Sequence, residues 1–324
     1  MANYPQLDDC SGVWTLKEVN DAVMGGYWRE AGSKGLIAGG GPGGDAAGID
    51  YIIMATAGDA ADFGDLTVGK SSMAGLGSFT RAVFAGSQNS PGVSDDIDYV
   101  TFSTLGNAAD FGNLSAAMGN MSMNGCGSAT RGIFWGGATP TKLNEIQYVT
   151  FASAGNATDF GNMTESKTIS AACSSSTRGI TGGGQTGSVS NVIEYVTMAS
   201  TGDAADFGDL TAGRDRFGSA SSSVRGVWFG GDTGSNSDVI DYVTIASTGD
   251  ATDFGNLANA QTAPSAASTG IRGVAFGGRI SPNNINVIQY ITIASTGDAA
   301  DFGDLSAVKE MTSSSSDSHG GLQA

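Results

Sequence analysis

The sequence is dominated by the nine-residue stretch GDAADFGDL, residues 58–66, which is the first of six copies that differ only slightly along the chain. Successive copies begin 48, 49, 47, 47 and 48 residues apart. A period of this length indicates a chain built from repeated supersecondary units. Every copy carries one invariant aspartate directly before a phenylalanine: Asp62, Asp110, Asp159, Asp206, Asp253 and Asp301.

Each repeat predicts four short extended segments. The nine-residue stretch follows a tyrosine-containing strand, such as IDYVTIA at 240–246, which itself follows an Arg-Gly strand ending in two glycines, such as RGVWFGG at 225–231. A segment of small residues, such as SAACSSS at 170–176, comes first. Glycine, asparagine and aspartate separate the segments, as expected for tight turns. The tyrosine strand is apolar or β-branched on both faces, which is typical of a strand covered on both sides.

Four-stranded units of this size, repeated radially, are typical of a β-propeller. The sequence therefore predicts an all-β, six-bladed propeller over residues 33–324. Residues 313–318 align with the small-residue segment, while the first repeat starts at Lys34 without one, so the C-terminal strand is expected to complete the first blade. This closure would leave no open sheet edge. The same alignment places residues 319–322 at the start of a further Arg-Gly strand.

Composition and charge exclude several functions. The chain has 324 residues, 51 glycines and a net charge of −17, so binding to nucleic acid or to an anionic membrane would oppose its own electric field. No apolar run is long enough to span a membrane, and residues 1–10 do not resemble a signal peptide, so we expect a chain made in the cytoplasm without one.

An enzyme is not expected either. The single histidine, His319, and three cysteines without metal-ligand spacing cannot supply a metal centre, and no cofactor is predicted. The acidic residues repeat by blade, so no asymmetric carboxylate pair of a glycosidase is visible. Cys126 and Cys173 occupy equivalent positions in neighbouring repeats, where buried small side chains are expected.

The invariant aspartates have basic counterparts at the start of the Arg-Gly strands. One interpretation is a structural ion pair or a turn-capping carboxylate in each blade; the other is a ring of metal or ligand sites. The structural interpretation is favoured, because scaffold chemistry repeats whereas a functional site on a propeller breaks the symmetry. The basic residues are Arg81, Arg131, Arg178, Arg225 and Arg272, with Lys34 in the first blade.

The order of paired glycines, tyrosine and a later aromatic residue resembles kelch-type propeller repeats over residues 33–322, with phenylalanine where kelch usually has tryptophan. Three stretches resemble kelch-like structural proteins of tailed phages that infect marine cyanobacteria: VIDYVTIASTGDATDFG (239–255), SSSVRGVWFGG (221–231) and SGVWTLKEVNDAV (11–23). This resemblance implies a virion protein of the tail or another exposed appendage, with other virion proteins as partners and host-surface attachment as its role. A purely architectural or decorating subunit, and a free-standing bacterial lectin-like propeller that binds polysaccharide, are the alternatives.

Differences between the repeats predict where a partner binds. Antiparallel order places the loops after the paired glycines and before the small-residue strand on one rim, and these loops vary widely. They are rich in Asn, Ser and Thr, as a surface that binds a host glycan or protein would be, although loops free of constraint would also vary. The candidate binding residues are Asn89, Ser90, Thr139, Thr141, Asn236, Asn283 and Asn284.

Residues 1–32 lie outside the repeats and form a predicted N-terminal arm with a short amphipathic helix. Either the arm packs on the flank of the propeller, or it docks into a neighbouring virion subunit through aromatic anchors. The candidate docking residues are Trp14, Leu16, Val19, Tyr27 and Trp28.

Overall fold

The structure, a computed structural model, describes residues 34–41, 46–89, 92–121 and 125–322, with the backbone alone described at Asn89. Within these residues the chain forms six four-stranded antiparallel sheets, each of which is one blade of a β-propeller. The architecture predicted from the repeat is therefore confirmed. The predicted N-terminal arm, including Trp14, Leu16, Val19, Tyr27 and Trp28, lies outside the described residues.

The innermost strand of every blade, the A strand, consists of small residues because neighbouring A strands contact one another around the axis. These contacts run from blade to blade and return to the first, which closes the ring. The A strands are β4 (Ala74–Gly77), β8 (Gly125–Gly127), β12 (Ala171–Ser174), β16 (Gly218–Ser221), β20 (Ser265–Ser268) and β26 (Ser313–Ser316).

The second and third strands form the buried middle of each blade. The B strands are β1 (Lys34–Ala38), β5 (Arg81–Asn89), β9 (Arg131–Thr139), β13 (Arg178–Gly182), β17 (Arg225–Asp232) and β21 (Arg272–Phe276). The C strands are β2 (Gly48–Ile53), β6 (Gly92–Thr101), β10 (Thr141–Thr150), β14 (Val192–Thr197), β18 (Asn236–Thr244) and β24 (Val287–Thr292). Blade 6 adds the hairpin β22 (Arg279–Ile280) and β23 (Asn283–Asn284) between them.

The recurring nine-residue stretch forms the outermost strand and the loop that joins it to the next blade. The D strands are β3 (Ala61–Asp65), β7 (Ala109–Met118), β11 (Thr158–Asn162), β15 (Ala205–Asp209), β19 (Thr252–Gln261) and β25 (Ala300–Asp304). Gly64 shows why the stretch is so constant: it adopts φ +148°, and a Cβ there would collide with the carbonyl of Gly106 in the next blade. The side chain of Asn107 also accepts a hydrogen bond from the Asp65 amide (3.1 Å).

The hydrophobic core lies between the blades. Six clusters each join the facing sides of two neighbouring blades, and the sixth joins blade 6 to blade 1 through Phe276, Ile52 and Phe302. In every blade the tyrosine of the C strand packs edge-on against the phenylalanine of the D strand, as for Tyr242 and Phe254 (ring centroids 5.7 Å apart). Each blade thus stabilises its neighbours.

The C-terminal strand closes the ring as predicted. In blade 1, β26 pairs antiparallel with β1, and Ser316 lies opposite Gly35. The alignment of residues 319–322 with a further Arg-Gly strand was wrong, since Gly320–Leu322 forms a 3-10 helix. The physical reason is that β1 already occupies the B position of that blade, between β26 and β2. The last residues turn instead across the axis.

Candidate functional site

The propeller has two different rims. The variable rim carries the connections between B and C strands and between D and A strands, whereas the opposite rim carries the A–B and C–D connections. On the variable rim, the hairpins β5–β6, β9–β10 and β17–β18 extend beyond their sheets, and β22–β23 adds a fourth. The positions where the repeats differ most are therefore gathered on one end of the molecule.

The candidate binding residues lie at the tips of these hairpins. Thr141 and Asn283 are exposed, whereas Thr139, Asn236 and Asn284 are half-buried. Asn236 donates a side-chain hydrogen bond to the Arg279 carbonyl (3.3 Å), so it links blade 5 to blade 6. The structure places these residues on one rim but on separate blades. Ser90 and the side chain of Asn89 lie outside the described residues.

A ring of six residues surrounds the axis on the variable rim. Each lies just before an A strand and adopts the left-handed backbone conformation, with φ between 52° and 58°. This conformation is uncommon for residues other than glycine and is an outlier for a β-branched residue such as Ile169. The members of this axial ring are Ser72, Asn120, Ile169, Arg216, Ala263 and Met311.

Backbone hydrogen bonds hold the axial ring in place. The amide of Ile169 donates to the Asn120 carbonyl (3.0 Å), that of Arg216 to Ile169 (3.3 Å) and that of Ser72 to Met311 (3.0 Å). The backbone is thus the same in every blade, while the side chains differ in size, charge and polarity. Sequence reasoning missed this ring because no shared residue type identifies it.

The axial ring lines a cavity of about 270 Å³, the axial cup, together with Gln88 from β5. Serine, asparagine and glutamine side chains can each donate and accept hydrogen bonds. Ile169, Ala263 and Met311 add apolar surface to the same wall. The axial cup therefore presents both polar and apolar contacts to the axis.

One side of the axial cup is charged. Arg216 Nη1 lies 3.7 Å from Asp215 Oδ1 and 3.4 Å from Asp232 Oδ2. The backbones of the two aspartates pair with each other, and Gln185 Nε2 donates to Asp215 Oδ2 (3.4 Å). Burial raises the pKa of the Asp215 carboxyl, an effect that Arg216 opposes. The sequence contained a signal, because only this repeat has charged residues at all three equivalent positions.

The opposite end of the axis is covered by the C-terminal plug, residues 319–322. Beneath it, the space between the A strands is about 50 Å³. A Cβ at Gly321 would overlap the carbonyl of Gly127 at the end of β8, so only glycine allows this close approach. His319 Nε2 lies 2.7 Å from the Gly77 carbonyl at the end of β4, and the Gly321 amide donates to His319 Nδ1 (3.2 Å).

These contacts fix the neutral tautomer of His319, because Nε2 must donate and Nδ1 must accept. Burial lowers the pKa of His319 to about 4. Cys126 and Cys173 lie in the A strands beneath the plug and are buried free thiols, as predicted. Burial raises the pKa of Cys126 to about 12 and also raises that of Cys173.

The repeated basic residues form a closed ring of links between blades. Each cation lies over the tyrosine of its own blade, as Arg131 does over Tyr148 (4.5 Å to the ring centroid), and donates to a carbonyl of the next blade. The six bonds are Arg81 to Phe151 (2.7 Å), Arg131 to Met198 (2.9 Å), Arg178 to Ile245 (3.0 Å), Arg225 to Ile293 (2.8 Å), Arg272 to Met54 (3.0 Å) and Lys34 to Phe102 (2.7 Å).

The invariant aspartates do not face these cations. Asp62, Asp110, Asp159, Asp206, Asp253 and Asp301 are exposed on the D strands. At Asp110 the carboxylate accepts a hydrogen bond from the Gly112 amide (3.1 Å), which is the turn-capping geometry. Among the described residues, no ion pair joins one of these aspartates to one of the arginines.

The buried ion pairs use other residues, which sequence reasoning missed. Each pair joins two successive repeats. One partner is the residue directly before the conserved tyrosine. The other lies in the preceding repeat, four positions after the leucine or methionine that ends the nine-residue stretch. Four of these pairs are charged: Lys70–Asp98 (3.0 Å), Lys167–Glu194 (2.6 Å), Arg214–Asp241 (2.6 Å) and Lys309–Asp50 (2.8 Å). The other two are neutral: Gln147 with Met118, and Gln289 with Gln261. The two positions change together, which is the signal the sequence offered.

Over the described ranges, no group of three or more His, Cys, Asp or Glu is placed to hold a metal ion. No helix in the same ranges is long and apolar enough to cross a membrane.

The fold and the rim geometry define a six-bladed β-propeller whose blades differ from one another mainly on one rim. A comparison with models of known protein families found no match, and no curated protein matches the sequence significantly.

Proposed function

We propose that this chain is a non-enzymatic structural protein of a tailed phage, located on the tail or another exposed appendage, and that its variable rim attaches the particle to the host cell surface. The observation that carries this proposal is the separation of repeated and variable residues. In every blade a basic residue lies over the tyrosine, lysine in blade 1 and arginine in the other five, and the D-strand links recur as well. The differences gather on the rim that carries the hairpins and the axial cup.

A role in binding fits this arrangement better than catalysis. Both ring nitrogens of His319, the chain's single histidine, are engaged in backbone contacts within the C-terminal plug. The carboxylates of the buried pairs are engaged by lysine or arginine. We therefore infer no catalytic residue, no metal and no cofactor, and we assign to the rim a host glycan or protein as its ligand.

The location in a virion is supported by the resemblance of the repeat sequences to those of kelch-like structural proteins of tailed phages of marine cyanobacteria. The net charge of −17 disfavours a role on nucleic acid or inserted in an anionic membrane. Other virion proteins would then be its partners, with the N-terminal arm, residues 1–32, as the candidate contact.

Purified particles of a phage that encodes this chain provide the test. Mass spectrometry should find the chain in the particles, and gold-labelled antibodies against it should decorate the tail or an appendage. Antibodies against the variable rim should also block adsorption to host cells. Absence of the chain from the particles would overturn the proposal in favour of a bacterial lectin-like propeller. Presence without any effect of the antibodies on adsorption would leave an architectural subunit.

A further inference from the structure

We propose that the axial cup binds the neutral end residue of a saccharide; this inference rests on the proposed attachment function and names its ligand class. The axial cup has the depth and the enclosure that a flat rim lacks. Its volume is about 270 Å³, and the C-terminal plug covers the far end of the axis. A ligand therefore enters from the variable rim, which is the side that differs from blade to blade.

The lining of the axial cup matches the chemistry of a sugar ring. Sugar hydroxyls both donate and accept hydrogen bonds, and Ser72, Gln88 and Asn120 do the same. The ring carbons of a sugar present an apolar C–H face, for which Ile169 and Met311 supply an apolar partner. A small number of placed polar groups on a partly apolar wall is the usual composition of a ligand pocket.

Arg216 is the charged residue in the lining of the axial cup, and its side chain is 38% exposed. Asp215 Oδ1 and Arg216 Nε have no hydrogen-bond partner among the described residues. Both atoms are buried, and Asp215 does not line the axial cup, so a ligand there would contact the exposed part of the Arg216 guanidinium instead. The N–H groups of a guanidinium donate hydrogen bonds, which sugar hydroxyls accept.

The charge balance selects a neutral saccharide over an acidic one. Arg216, the charged residue in the lining of the axial cup, lies within 4 Å of Asp215 and Asp232, so two carboxylates behind the surface offset its positive charge. The whole chain, at −17, adds repulsion for anions. A uronic acid or a phosphate group would therefore meet an unfavourable field.

Asymmetry separates the axial ring from the scaffold. The links between blades repeat because every interface between blades needs the same contacts. The axial ring keeps one backbone conformation but has a different side chain in every blade. A left-handed backbone at a residue other than glycine is strained, and such residues cluster at functional sites. The axial ring thus combines a strained, fixed backbone with an unrepeated surface.

Calorimetric titration of the full-length chain with a panel of neutral oligosaccharides and their uronic-acid counterparts tests the proposal. Asn120→Arg should fill the axial cup without disturbing the fold, because Arg216 already adopts the same backbone conformation in another blade. Arg216→Gln removes the guanidinium. Ser176→Arg adds the same charge at an exposed position of the opposite rim and is the matched control.

We expect the wild-type chain and Ser176→Arg to bind at least one neutral saccharide with the same Kd. Asn120→Arg should weaken binding at least tenfold with an unchanged melting temperature. Arg216→Gln should weaken binding several-fold and lower the melting temperature, because the buried Asp215 loses its cation. Binding of acidic saccharides only, binding of none, or unchanged binding by Asn120→Arg would overturn the proposal. If the chain is found in particles and binds cells but no saccharide binds, the axial cup proposal fails alone. If saccharides bind but particles lack the chain, the attachment function fails alone.

Discussion

Lys167 and Glu194 show how single residues of successive blades are matched, since Lys167 follows β11 of blade 3 and Glu194 lies in β14 of blade 4. Their ion pair is fully buried at 2.6 Å, and the Glu194 carboxylate also accepts hydrogen bonds from the amide and hydroxyl of Thr164. A buried charge is tolerated only when a partner compensates the loss of water. In blade 3 the same positions hold Met118 and Gln147, so both charges are absent together.

Glu194→Gln should therefore be strongly destabilising, because it leaves the Lys167 ammonium buried without its carboxylate. We expect a loss of about 3–5 kcal/mol in the free energy of unfolding, measured by urea denaturation. The double variant Lys167→Met/Glu194→Gln reproduces the neutral pair of blade 3 and should recover most of the loss. A single variant as stable as the wild type, or a double variant no better than the single, would contradict this account.

Arg178 tests the ring of links between blades. Arg178→Met removes both the contact with the Tyr195 ring (4.7 Å) and the hydrogen bond to the Ile245 carbonyl. The expected loss is about 1–2 kcal/mol of unfolding free energy, since the guanidinium is half-buried. Arg178→Lys should retain part of this stability, because Lys34 makes the equivalent bond in blade 1. Equal loss in both variants would show that the cation is not what stabilises the interface.

His319 predicts a pH dependence of stability. Its pKa is lowered from 6.5 to about 4 in the folded chain, so the unfolded chain binds the proton first as the pH falls. The stability is complete above pH 6.5 and is lost between pH 6.5 and about 4. The shift corresponds to about 3 kcal/mol at most, and partial exposure of the ring reduces this. His319→Gln should flatten the stability curve over this interval; an unchanged slope would exclude His319 as its cause.

At the scale of elements, β26 is the strand on which closure depends. It supplies the A strand of blade 1 and contacts both neighbouring A strands, β4 and β20. Its loss would expose the backbone edge of β1, together with apolar side chains of two blade interfaces. No other described strand pairs with that edge of β1.

A chain ending at Met311 should therefore fail to form a stable monomer. Size-exclusion chromatography and thermal unfolding followed by circular dichroism provide the measurement, and a chain ending at Leu322 is the control that keeps β26 and the plug. We expect aggregation or a broad, non-cooperative transition for the shorter chain only. A sharp transition of the shorter chain at the wild-type temperature would show that the ring does not need this strand.

The elements also show where sequence reasoning was sufficient. Strand order and ring closure were predictable because each blade repeats the same turn residues and the same tyrosine and phenylalanine positions. The axial ring was not predictable, because Ile169, Arg216 and Met311 share a backbone conformation without sharing side-chain chemistry. The C-terminal plug was misplaced because alignment detects similarity of residues, whereas strand formation also needs a free partner.

For the candidate site, sequence variation pointed to the rim that carries the axial cup, but not to the axial cup itself. Loop variation was visible at Thr141 and Asn283, which the structure places at the tips of hairpins. Asp215 and Asp232 are 17 residues apart in the sequence, and the pairing of their backbones brings both beside Arg216. Long-range pairing of this kind is not contained in any local pattern.

At the scale of the whole molecule, the two ends of the propeller differ in how much their residues vary between blades. The opposite rim is nearly identical from blade to blade and carries the C-terminal plug. The variable rim carries the hairpins, the axial ring and the asymmetric charges. The division places scaffold contacts at one end and leaves the other free to diversify, which is the central claim of the proposed attachment function.

Binding of the labelled full-length chain to intact host cells, measured by flow cytometry, tests this claim most directly. The variable-rim variant Thr141→Arg/Asn283→Arg changes two exposed hairpin residues, and Ser176→Arg changes an exposed residue of the opposite rim. We predict that the wild type and Ser176→Arg bind cells equally, while the variable-rim variant loses binding at least tenfold. Undiminished binding by the variable-rim variant, or loss of binding by Ser176→Arg instead, would contradict the assignment of recognition to this face.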